Sequence, residues 1–144
     1  MNKMAALILL MLITAVSALP QINVPLHCGS KIYISPMENE LDGYIRAKFV
    51  ELHVPLVIVM DKQVADLIMT GGSKQFADHW YDGGVKDKNT GTIAITDKAG
   101  NFVWGGAAGD RNIWWGNLAK HGPEKVATRI VDKLKKAIAQ PCTE

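Results

Sequence analysis

Cysteine is scarce in this 144-residue chain, with only Cys28 and Cys142. No C-x-x-C spacing joins them, so the usual mark of a thiol redox centre or zinc ribbon is missing. No serine occupies a G-x-S-x-G elbow, and the four histidines (His27, His53, His79 and His121) fall into no recognisable triad. Gly71-Gly72-Ser73-Lys74 lacks the first glycine of a phosphate loop, because Leu67 stands there. It reads better as a strand-to-loop glycine pair. Asp87-Lys88-Asn89-Thr90-Gly91 opens like a calcium loop, but its glycine comes one position early. Lys98 stands where the bidentate glutamate belongs, so a turn is expected. Asp78-His79 with Asp82 reads as an exposed polar loop rather than a transition-metal site. The sequence therefore names no cofactor, no metal and no catalytic residue.

A strong excess of one charge is also lacking. The formal net charge is +2, and it drops by one if Lys3 is removed with a leader. A nucleic-acid binder carries a much stronger basic bias, so no nucleic-acid partner is expected. The chain has no internal repeat, and its one long apolar run is Met4–Ile13. That run falls short of the roughly 20 residues that span a bilayer.

The run instead fits a secretory signal. Lys3 gives the positive start, Met4–Ile13 the apolar centre, and Val16-Ser17-Ala18 the small residues of a cleavage site. Pro20 and Pro25 break any helix that runs on. A lipid-attachment cysteine should directly follow the cleavage site, and Cys28 comes too late. The expected organisation is a signal peptide over 1–18, an extension over 19–29 and a single α/β domain over 30–144. The mature protein is expected in the periplasm or secreted, with no stable membrane anchor. In that oxidising setting Cys28 and Cys142 are most simply a disulfide. It would close a loop of more than about 100 residues, worth on the order of 4–5 kcal/mol in the chain-entropy model.

Within the domain, Lys31–Pro36 alternates as a strand. A helix capped by Asn39 follows, with an apolar stripe of Leu41, Tyr44, Ile45, Phe49 and Leu52 ending at His53-Val54-Pro55. Leu56–Met60 is a continuous apolar run of the kind found in strands buried on both faces. Lys62–Ala65 predicts a short helical turn and Asp66–Gly72 a third strand, extending through Phe76 to Tyr81. Thr92–Thr96 and Phe102–Trp104 flank a hairpin turn at Asp97–Asn101. Gly105–Gly116 reads as a glycine-rich aromatic segment. A last helix starts at Gly122-Pro123-Glu124, with Val126, Ile130, Val131, Leu134 and Ile138 on its apolar side, and Pro141 stops it. Lys125, Arg129, Lys133, Lys135 and Lys136 read as a solvated basic side. The predicted fold is an α/β (α+β) two-layer sandwich: a mixed four- to five-stranded sheet with two main helices on one face.

Three local patterns carry a resemblance. They are the strand and proline turn before a helix (Ile32–Leu41), the segment Val64-Ala65-Asp66-Leu67-Ile68-Met69-Thr70-Gly71, and the hairpin Ile93–Trp104 with its following amphipathic helix. Over residues 30–140 the chain resembles a class of bacterial envelope domains. The class includes the amino-terminal domain of the TolB envelope protein and the globular parts of CsgG-like and LpoB-like lipoproteins. It is also similar to small exported proteins whose tails read like Ala108–Arg111 through Trp114–Gly116. The resemblance implies no catalysis. It implies protein contact and assembly in the cell envelope.

The most unusual stretch is Asp110-Arg111-Asn112-Ile113-Trp114-Trp115-Gly116. In one reading Arg111 pairs with Asp110 or another acid and the tryptophans cap the core. In the other the segment is an exposed aromatic platform, since Trp and Arg are favoured interface anchors. The candidate partner-binding residues are therefore Arg111, Trp114 and Trp115, helped by Trp80 and Tyr81, and an apolar sheet edge could add strand augmentation. The expected function is a non-enzymatic exported binding module whose partner is an envelope protein. The alternative is a protein that binds cell-wall glycan or a small ligand. A glycosidase would need two facing carboxylates, and only Asp110 adjoins the tryptophans.

Overall fold

The computed structural model describes residues 26–75, 89–110 and 122–138. Within them the chain forms a five-stranded mixed sheet covered on one face by two helices, the two-layer α/β sandwich expected from the sequence. The strands are β1 (Lys31–Ile34), β2 (Val57–Val59), β3 (Leu67–Gln75), β4 (Asn89–Asp97) and β5 (Phe102–Gly109). The helices are α1 (Leu41–Glu51) and α2 (Pro123–Ala137). Sheet order is β2-β1-β3-β4-β5, with β1 parallel to both its neighbours and the β3-β4-β5 meander antiparallel.

Alternation in the strands sets the two layers. Ile32, Ile34, Leu67, Met69, Ile93 and Ile95 are fully or nearly fully buried on the helix side. Against them lie Leu41, Ile45 and Phe49 of α1 and Val126, Ile130, Val131 and Leu134 of α2, the apolar stripes that the sequence predicts. Asp66 sets the register of β3. Its carboxylate accepts from Lys31 N at 2.9 Å and its own N donates to Lys31 O at 2.8 Å. Among the described residues no helix is long and apolar enough to cross a membrane.

Five local expectations are corrected. The run Leu56–Met60 is not doubly buried: β2 is an edge strand, with Val57 50% and Met60 77% exposed, and among the described residues both helices lie on the sheet's other face. Asn39 does not cap α1. It lies at φ 53 inside a 3-10 turn (Glu38–Glu40), and its amide donates to Ser73 Oγ (2.8 Å) and Ser73 O (3.2 Å). Asn89 and Gly91 lie in β4 rather than in a turn, and Gly71–Lys74 continues β3 rather than leaving it for a loop. Finally, β5 does not stop at Trp104 but runs to Gly109. Glycine weakens a strand by leaving nothing to pack, but here neighbouring rings fill the space. A Cβ on Gly105 would stand 2.9 Å from Phe102 Cζ, and one on Gly106 2.5 Å from Trp104 Cη2.

Candidate functional site

The start of β4, the end of β5 and the start of α2 meet at one carboxylate. Asp110, directly after β5, is fully buried. Its Oδ1 accepts from Asn89 N (3.1 Å), and its Oδ2 accepts from Asn89 Nδ2 (2.8 Å) and Gly122 N (3.1 Å). Asp110 N in turn donates to Asn89 O at 3.1 Å. Gln75 pairs with Asn89 across the ladder. A buried carboxylate is costly unless several donors hold it, and one at a helix start also meets the positive end of the helix dipole. Gly122 takes φ 130, a conformation that favours glycine, and so delivers its N–H to the carboxylate.

This arrangement roots two segments at one end of the sheet. Residues 76–88, with Trp80 and Tyr81, join Gln75 to Asn89. Residues 111–121, with Arg111, Trp114 and Trp115, join Asp110 to Gly122. These five residues lie outside the described residues, as do Cys142, His79, His121, Asp78, Asp82, Asp87 and the strand extension through 76–81. Cys28 is described and is not a free thiol. Nothing in the sequence pattern singled out Asp110 or Asn89 as a junction, because the contact spans 21 residues and depends on the hairpin register.

The basic side of α2 is not merely solvated. Arg129 donates to Gly109 O, Lys133 Nζ to Ala107 O at 2.7 Å, and Lys135 Nζ to Leu52 O, at the end of α1, at 2.6 Å. Two of these three bonds lie along the outer edge of β5 and occupy backbone acceptors that an added strand would need. The other outer strand, β2, is three residues long.

The second face of the sheet carries the alternate set of residues, including Tyr33, Ile68, Thr70, Thr92, Ala94 and Thr96. Phe102, 64% exposed, shares that face through its pairing with Thr96.

Other polar groups are committed within the fold. Ser73 Oγ donates to Glu38 O at 3.0 Å, so the serine of the Gly71–Lys74 segment is held as a structural tie. Arg46 bridges Asp42 (3.1 Å) and donates to Ile34 O (2.7 Å), while Asp42 accepts from Met37 N (3.1 Å). Lys48, only 7% exposed, joins the two helices by pairing with Glu51 (2.6 Å) and Glu124 (3.1 Å). Those hydrogen bonds raise its pKa above the ordinary lysine value. His27 and His53 are exposed. Among the described residues no three His, Cys, Asp or Glu side chains gather as metal ligands.

No family model matches the chain, and no curated protein matches it. One solved structure, described as a homolog of the neuraminyllactose-binding hemagglutinin from Helicobacter pylori, aligns over 80% of this chain and 81% of its own. At 12% identity and a TM-score of 0.30 it carries no argument about fold or function.

Proposed function

We propose that this chain is an exported, non-catalytic binding module that makes protein contacts in the bacterial cell envelope. One observation carries the reading: Asp110 ties together the roots of both segments that bear the candidate aromatic residues. Trp80 and Tyr81 on one segment, and Arg111, Trp114 and Trp115 on the other, are thereby tethered to the same end of a rigid sheet. Residues of these types supply most of the binding energy at protein interfaces, and tethering to a rigid scaffold lowers the ordering cost of using them. The signal-like amino terminus supports export, as does the state of Cys28, which is not a free thiol. We read Cys142 as its partner in a disulfide, and a thiol titration of the denatured, unreduced protein should find no free thiol.

In-cell crosslinking of the tagged mature protein tests the binding reading, with a Trp114→Ala/Trp115→Ala variant alongside and circular dichroism to establish that both are folded. A discrete envelope protein captured by the wild type and lost with the folded variant is the expected result. Unchanged capture, or no capture by either protein, would sink the proposal.

A further inference from the structure

We infer that the outer edge of β5 is a strand-addition site held closed by Arg129 and Lys133, and that the strand they exclude is β5 of a second copy of this chain. The inference is independent of the aromatic segments. It starts from the direction of the backbone groups. Asp110 N donates inward to Asn89 O, so by antiparallel alternation residues 106 and 108 also turn their N–H and C=O toward β4. Residues 105, 107 and 109 turn theirs outward. Two of those outward carbonyls, Ala107 O and Gly109 O, are the acceptors taken by Lys133 and Arg129.

The match has a geometric cause. Arg129 and Lys133 are four residues apart on α2, a rise of about 6 Å. Alternate residues of a strand are about 6.8 Å apart. With α2 running opposite to β5, one row of the helix therefore falls on successive outward carbonyls. The row stops there, since Ala137, at the next position, has no side-chain donor.

A bare edge of this kind is a template for pairing, and cationic side chains are a common means of blocking it. The eight residues of β5 make it much the longer of the two outer strands. Apart from Phe102 at its start, the residues of β5 whose backbone turns outward are Gly105, Ala107 and Gly109, so no bulky side chain flanks most of that edge. About a two-fold axis such a strand is complementary to itself. In that pairing each copy's Arg129 and Lys133 would lose their carbonyl acceptors and face the same cations of the other copy. The guard thus blocks the ladder and also repels the second copy. Lys133 is exposed and its bond lies at the surface, which makes it the part of the guard most easily removed.

Sedimentation velocity across a range of protein concentrations tests this, comparing wild type, Lys133→Ala and Arg129→Ala/Lys133→Ala, with circular dichroism on each. Removing the guard should tighten self-association by about tenfold or more. Adding Ala107→Pro, which deletes an outward donor while sparing the inner ladder, should return the protein to wild-type behaviour. The inference fails if the folded variants sediment like wild type at every concentration. It also fails if their association survives Ala107→Pro, or if wild type already self-associates in a way that Ala107→Pro abolishes. Should the double variant not fold, the single Lys133→Ala variant decides by the same readings.

Discussion

Val126 of α2 rests on the bare backbone of Gly91 in β4, its Cγ1 only 2.6 Å from where a Cβ on that glycine would stand. Ile130 Cδ1 and Leu41 Cδ2 would each be 3.3 Å from the same point, so both helices crowd this one position. The glycine is needed here for space rather than for an unusual backbone angle. Gly91→Ala should overpack the layer interface and cost about 1–3 kcal/mol, read as a lower urea midpoint at unchanged slope. Val126→Ala empties the contested volume. The double variant should therefore be more stable than the sum of the two single effects predicts.

Asp110 should prove among the most sensitive polar residues of the described core. Asp110→Ala removes the acceptor for three N–H donors on Asn89 and Gly122 in a site without solvent access. Unsatisfied buried donors cost far more than an exposed hydrogen bond gains, so a loss of about 2–4 kcal/mol is expected. Hydrogen exchange adds a local readout. The Asn89 and Gly122 amides should lose protection more than amides in β1, which lies two strands away.

Much of the architecture was legible because burial acts through periodicity. The α1 and α2 stripes and the Asp97–Asn101 hairpin follow from spacing alone, and every residue of the α2 stripe is buried. What escaped was set by partners distant in sequence. Asn39 has the chemistry of a cap, but Ser73, 34 residues on, competes for its side chain. The apolar run at β2 looks like an interior strand because sequence shows hydrophobicity, not which strand ends up at the edge. Gly105–Gly109 reads as loop on propensity, and the ladder with β4 overrides that preference. At the candidate site the aromatic residues stand out by type. The residues that root their segments, Asn89, Asp110 and Gly122, show no pattern until the strands are in register.

Acid should weaken the β4–β5 hairpin through Asp97. Its carboxylate accepts from Asn101 Nδ2 and Asn101 N, both at 2.8 Å, and those bonds hold its pKa below the ordinary carboxylate value. A group whose pKa is lower in the folded state stabilises above its unfolded value, near about 3.9. That stabilisation is lost as pH falls through the folded value. Urea unfolding of wild type and Asp97→Asn from neutral pH down to about pH 2 should show the variant weaker at neutral pH. The gap should close as the wild-type carboxyl protonates. A gap that stays constant across that range would mean that Asp97 acts by shape and not by charge.

Lys48 titrates in the opposite sense and tests how α1 is held to α2. Its ammonium is shared between Glu51 of the same helix and Glu124 in the first turn of α2. Glu51→Gln or Glu124→Gln alone should shift the urea midpoint little, because each carboxylate is well exposed and the other still pairs with the lysine. Together they should cost more than their sum, since the double variant leaves a largely buried cation with neither carboxylate. The pKa of Lys48 is raised by the fold. Its contribution is therefore fully present below the unfolded lysine value, near about 10.4, and is lost as pH rises through the folded one. Wild type and the double variant should thus converge in stability on the alkaline side, whereas a difference persisting beyond the titration of Lys48 would assign the coupling to packing of the side-chain stems.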